Sequence, residues 1–290
     1  MAAAGLEAVL RRDRVIVAAA LAALTVFAWA YILWLAATMD MGGHPDGGQG
    51  NPMSGMAMPG KPGMGDGGIV MPQLAPWSAG EALLMLVMWT VMMIGMMTPS
   101  AAPMILLYAR VGRQAEQQGK PFAATAWFAA GYLASWVAFS VLATAAQWAL
   151  EQGALLTPMM TSASPVLGGL ALIGAGLYQW TPFKDTCLTQ CQSPLAFIQR
   201  HGGFRRQRGG AFSLGVRHGA YCIGCCWALM ALLFVVGVMN IVWIAALAVL
   251  VLIEKVTPAG RTMSRIAGVG LAAAGLAMLA GLIGTACAVC

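Results

Sequence analysis

Apolar residues in this chain come in long, nearly uninterrupted runs separated by short polar or basic stretches. The runs cover residues 15–37, 81–110, 122–150, 164–180, 219–239, 241–256 and 266–286. Most approach the roughly 20 residues that an α-helix needs to cross ~30 Å of hydrocarbon. The pattern predicts an all-α, polytopic transmembrane helix bundle of about seven spans, since backbone polar groups in lipid must be satisfied within each segment. The apolar stretch from Cys222 to Ile253 is too long for one ordinary span, and Asn240 marks its division into the fifth and sixth. Gly168, Gly169, Gly174 and Gly176 suit the fourth span to close helix contact.

Charge supports that division. With seven spans and a cytoplasmic N-terminus, every Lys and Arg except Lys61 falls on the cytoplasmic side. Fusing the fifth and sixth spans would move Lys255, Arg261 and Arg265 outside. The net charge of +6 therefore reads as membrane topology, with no nucleic-acid partner implied. A chain that is 60% hydrophobic and 9% charged is not a soluble domain. The expected localisation is the bacterial inner membrane, multi-pass, with the lipid bilayer as first partner.

Three regions follow. Residues 1–37 hold Arg11, Arg12 and Arg14 and a first span, longer than a signal-peptide core and so expected to remain uncleaved. Residues 38–78 form a Met/Gly/Pro-rich outer loop with His44 and Met39, Met41, Met53, Met56, Met58, Met64 and Met71. Residues 79–290 form a six-span core with a basic cytoplasmic loop at 183–217. No G-x-x-x-x-G-K-[ST] loop is present, so the sequence carries no sign of nucleotide-driven work.

Sulfur is where the chemistry concentrates. His218, Cys222, Cys225 and Cys226 recur at helical spacing and fall within one face at the start of the fifth span. Three thiols and an imidazole are soft donors suited to Cu(I) or Zn(II). A single buried Cys often packs as a small hydrophobe, but three within five residues fit that reading poorly. In the second span Glu81, Met85, Met88, Met92 and Met96 form a narrow stripe. It reads either as a ladder of thioether ligands or as flexible packing. Cys187 and Cys191 are four apart on the same side as Cys222, and either complete the site, pass metal onward, or are free cytosolic thiols. Glu254 ends the sixth span, where an ionisable group is a functional candidate. The alternative is an interfacial anchor in which Lys255 snorkels. His201 reads as solvated, and Cys287 and Cys290 fall at the outer face.

Three segments together resemble a bacterial family of unknown function catalogued as predicted metal-binding integral membrane proteins. They are Met88-Trp89-Thr-Val-Met92-Met-Ile-Gly-Met96-Met97-Thr-Pro99-Ser, Lys184-Asp-Thr-Cys187-Leu-Thr-Gln-Cys191-Gln-Ser-Pro194, and Arg217-His218-Gly-Ala-Tyr-Cys222-Ile-Gly-Cys225-Cys226-Trp227-Ala-Leu-Met230. Gly237-Val-Met239-Asn240 and Glu254-Lys255 are also similar. The resemblance implies Met92, Met96, Met97, His218, Cys222, Cys225, Cys226 and Glu254 as shared features.

The residues and the resemblance together predict a copper-binding membrane protein, for Cu(I) before zinc, that transports, stores or delivers the ion. Its candidate ligands are His218, Cys222, Cys225, Cys226, Met88, Met92, Met96, Cys187, Cys191 and Glu254. A soluble copper acceptor or a membrane metalloenzyme is the implied partner. The alternatives are a subunit of, or assembly factor for, a membrane copper oxidase or monooxygenase, a membrane thiol oxidoreductase, and a zinc-stabilised structural subunit.

Overall fold

The computed structural model describes residues 17–35, 77–119, 123–153, 164–204, 206–238 and 240–281. Residues 38–76 of the Met-rich stretch, Lys61 among them, and Cys287 and Cys290 lie outside these residues. The described residues are helical, without strands. In chain order the helices are α1 (Val17–Leu35), α2 (Ala79–Gln117), α3 (Thr125–Gln152), α4 (Pro165–Tyr178) and α5 (Pro182–Gln192). Then come α6 (Pro194–Arg200), α7 (Arg208–Ala231), α8 (Leu233–Val236), α9 (Ile241–Val256) and α10 (Gly260–Leu279). Five are long and apolar enough to cross a membrane: α1, α2, α3, α10, and α7 taken together with α8. At 14 and 16 residues, α4 and α9 are shorter than those five.

The division at Asn240 is built into the backbone. Gly237 takes a left-handed φ of 102°, which a side chain would resist. Asn240 then caps α9, its side-chain oxygen accepting from the Val242 and Trp243 amides at 3.1 and 3.3 Å.

The stretch 183–217, read from sequence as a loop, contains nearly all of α5, the whole of α6 and the first ten of the 24 residues of α7. Local chemistry explains the difference. Pro182 and Pro194 stand at the starts of α5 and α6, where a missing N–H is harmless. Thr181 accepts from the Lys184 amide and starts α5.

Helix α2 begins with a capping box: Ser78 Oγ accepts from the Glu81 amide, and Glu81 Oε2 accepts from the Ser78 amide. Its 39 residues would extend about 58 Å, nearly twice the hydrocarbon thickness. Pro99 and Pro103 interrupt its hydrogen-bond ladder midway. There Ser100 Oγ and Tyr132 Oη both donate to the Met97 carbonyl, at 2.9 and 3.1 Å.

Two helix pairs form the close-packed frame. On α3 and α7, a methyl on Gly131 would collide with the Phe212 carbonyl, and one on Gly215 with the Phe128 carbonyl. Gly219 leaves room for Ser135, whose hydroxyl crosses the interface to the Val216 carbonyl at 3.1 Å. On α4 and α10, Gly168, Gly169 and Gly176 meet Met278, Gly275 and Gly268. Small residues let helix backbones approach where lipid supplies no hydrophobic drive between them. The expectation for α4 therefore holds at three of its glycines, while Gly174 has open space around it. Against this frame α2 lays its methionine face, and α5 and α9 close the end that carries the α7 cysteines.

Candidate metal centre

Helix α7 presents Cys222, Cys225 and Cys226 inward, all at most 2% exposed. The thiols of Cys225 and Cys226 both donate to the Cys222 carbonyl at 3.0 Å. Cys226 Sγ also lies 3.9 Å from Met97 Sδ, so the thioether that α2 brings to the thiols is Met97. Helix α5 contributes Cys191, whose thiol interacts with those of Cys222 and Cys225. Four thiols and one thioether from three helices thus meet beside the proline break in α2.

The same place holds a cation. Lys255 Nζ donates to Cys222 Sγ at 2.8 Å and reaches Ser100 Oγ at 3.4 Å. Tyr132 Oη lies 3.3 Å from the same sulfur. Lys255 is 5% exposed, so it does not snorkel to the interface. Its chain neighbour points elsewhere: Glu254 Oε2 accepts from Lys184 Nζ at 2.8 Å, with both side chains buried. Lys184 also donates to Gln179 Oε1, which in turn accepts from Ser264 Oγ at 2.9 Å. Consecutive residues on a helix diverge by about 100°, which sends Glu254 and Lys255 into separate pockets.

The remaining candidates are placed as follows. Met88, Met92 and Met96 are buried on the core face of α2, as the stripe predicts. Met85, at its outer end, accepts a hydrogen bond from Gln147 Nε2 at 3.7 Å. His218 lies one turn before Cys222 among Phe197, Tyr132 and Phe128, with ring centroids 5.2, 5.8 and 6.0 Å away. Its Nδ1 has no hydrogen-bond partner among the described residues. Cys187 is buried against Gly224, where an added methyl would strike its sulfur. Burial pushes the Cys187 thiol up from 9.0 to about 11, helped by the charge of Cys225. Hydrogen bonds to Cys222 and Cys225, then burial, hold the Cys191 thiol well above the usual range. His201 is not simply solvated: its Nδ1 lies 2.8 Å from the Phe197 carbonyl, and its ring stacks beside Phe197.

Among the described residues, no three His, Cys, Asp or Glu side chains stand ready-made at metal-holding spacing. The reason is visible in the bonding: two α7 thiols turn to a backbone carbonyl and the third to an ammonium. Coordination of one ion would require Cys225 and Cys226 to rotate away from that carbonyl. The donor chemistry itself, thiols with a thioether, fits Cu(I) better than any hard cation.

Helical spacing alone did not select Met97, which only the resemblance named, and sequence reasoning missed Tyr132, Ser100 and the two buried lysines. Lys184 had been counted with the loop's basic residues. The signal available for Lys255 was its place at an apolar helix end beside a carboxylate.

Fold and site define a multi-helix protein of membrane type that carries a buried soft-donor cluster. Residues 86–278 match the family described as copper chaperone (PpoB2), more than half of the chain, and the protein belongs to that family. No curated protein and no solved structure matches it. Membership makes copper the metal with which the cluster is to be read.

Proposed function

We propose that this protein is a multi-pass inner-membrane copper chaperone that carries Cu(I) as cargo on the thiols of Cys222, Cys225, Cys226 and Cys191, with Met97 as an additional soft ligand. The observation that carries the reading is the convergence of those sulfurs from α7, α5 and α2 (the last through Met97, 3.9 Å from Cys226). The buried methionines Met88, Met92 and Met96 supply weak, exchangeable ligands along the path from the outer side. The Met-rich loop at 38–71 would collect the ion there. Cys191, the one member of the cluster that is not fully buried, is the exit towards a soluble thiol-bearing acceptor. The same parts run in reverse would load an exported copper enzyme. In this reading His218 shapes the cavity wall, and Glu254 belongs to the ion pair with Lys184.

Zinc is the lesser reading. A structural zinc site closes with four thiolate or imidazole ligands, whereas a thioether in the cluster suits monovalent copper. The test is metal analysis of protein purified under reducing conditions and loaded with Cu(I). Wild type should retain copper against a competing chelator, and the variant with Cys222, Cys225 and Cys226 all changed to Ser should retain none. Equal copper in the two proteins would remove the site.

A further inference from the structure

Two buried ammonium groups lie at this end of the bundle, Lys184 and Lys255, with one buried carboxylate between them. That carboxylate is committed: Glu254 Oε2 takes Lys184 Nζ at 2.8 Å. Among the described residues, Lys255 has only two hydrogen-bond partners, Cys222 Sγ at 2.8 Å and Ser100 Oγ at 3.4 Å. A charge removed from water needs an opposite charge close by, and hydroxyls alone do not supply one. Glu254 lies within electrostatic reach of Lys255 but is bonded to Lys184, and the Tyr132 phenol sits 3.3 Å from Cys222 Sγ, so the acidic group that Lys255 itself bonds is the Cys222 thiol.

We propose that Lys255 is the resident counter-charge of the copper site and sets its preference for monovalent over divalent metal. The inference rests on the copper reading above. Copper(I) held at any moment by two of the four thiols, Cys222 and one neighbour, replaces their protons while the other two stay protonated: Cu⁺ and two R–SH give [Cu(SR)₂]⁻ and two H⁺ released to water. The product carries one negative charge, which in a low-dielectric interior is costly unless cancelled. Lys255 cancels it, so the loaded pocket is neutral. A divalent ion on the same two thiolates is already neutral, and beside Lys255 it would leave a buried positive charge. Lys255 thus acts as a specificity-determining residue without being a ligand. Its long, flexible stem lets the ammonium slide towards Ser100 as the ion takes its place on Cys222.

The experiment measures Cu(I) and Zn(II) affinity by competition with chromophoric chelators, in detergent-purified full-length protein. The proteins compared are wild type, Cys222→Ser, Lys255→Met, Lys255→Gln and Lys255→Arg. Lys255→Met and Lys255→Gln should weaken Cu(I) binding by about 100-fold, as removal of one partner of a buried charge pair does. Neither should weaken Zn(II) binding, and Lys255→Arg should restore Cu(I) binding to within roughly tenfold. Opposite responses of the two metals separate a charge role from a structural one, because a damaged fold would lose both. Cu(I) affinity unchanged or raised in Lys255→Met and Lys255→Gln would overturn the counter-charge, as would a parallel loss of both metals. Failure of wild type to bind Cu(I), or unaltered binding in Cys222→Ser, would overturn the copper site itself and the inference with it.

Discussion

Two pockets a single residue apart on α9 each enclose a lysine, and they solve the same problem with different chemistry. In the first, Lys184 is met by the Glu254 carboxylate and the Gln179 amide oxygen, and Ser264 completes the ring. Gln192 tightens it further, donating to the Glu254 carbonyl at 2.7 Å. In the second, Lys255 is met by a thiol and a hydroxyl, and no carboxylate among the described residues hydrogen-bonds to it. Oxygen partners hold an ammonium permanently and have little affinity for a soft ion. Sulfur partners hold it only until a softer cation arrives. The first pocket is therefore a fastener between α5, α9 and α10, and the second, on the proposed copper reading, is a place of exchange.

The sharpest way to break this comparison is to disarm the fastener. Glu254→Gln leaves Lys184 buried without its carboxylate, and should destabilise the protein by about 3–5 kcal/mol. Thermal unfolding in detergent would show it. Lys184→Met combined with Glu254→Leu should recover most of that loss, because an apolar pair of similar volume replaces the ion pair. If Glu254→Gln instead removed copper binding while leaving stability intact, the carboxylate would belong with the ligands.

A weaker effect concerns thiol reactivity outside the pocket. With its pKa raised to about 11, Cys187 should alkylate at pH 8 about 100-fold more slowly than a free thiol. Its rate should climb as pH approaches 11, followed by mass spectrometry of labelled peptides. The sign for stability follows from the same shift. The unfolded thiol ionises first, so the contribution is present below pH 9.0 and is lost as pH rises towards about 11. Fast labelling at pH 8 would place Cys187 in solvent instead of against Gly224.

Smaller still is Met97→Leu, a nearly volume-neutral change. It should reduce Cu(I) affinity by roughly tenfold with less than about 1.5 kcal/mol lost in stability. Met92→Leu, further from the thiols, should leave affinity alone. A larger loss from Met92→Leu than from Met97→Leu would move the thioether ligand up the helix. At the bottom of the scale, Gly174→Ala meets open space and should stabilise α4 slightly, by up to ~1 kcal/mol. The same change at Gly131 would force α3 from α7.

The architecture was legible wherever it depended on periodicity. Apolar runs marked the helices, Asn240 marked the break before α9, and spacing placed Cys222, Cys225 and Cys226 together on an inward face. What could not be read depended on helices distant in sequence. Periodicity puts Met92, Met96 and Met97 on one broad face, but only the approach of α7 beside the Pro99 break selects Met97. Glu254 and Lys255 look like one anchor in sequence, and only the positions of Lys184 and Cys222 show them to be separate. The helices within 183–217 were announced by Thr181-Pro182 and Ser193-Pro194, start signals outweighed by the segment's basic composition.

The glycine crossing of α3 and α7 has a mechanical corollary. With Phe128 and Phe212 carbonyls seated directly over opposing glycines, neither helix has slack to slide or roll past the other. The sulfur-bearing wall is consequently a fixed anvil. On the proposed copper reading, opening to admit or surrender an ion falls to the light parts set against it, the eleven-residue α5 with Cys191 and the ammonium end of Lys255.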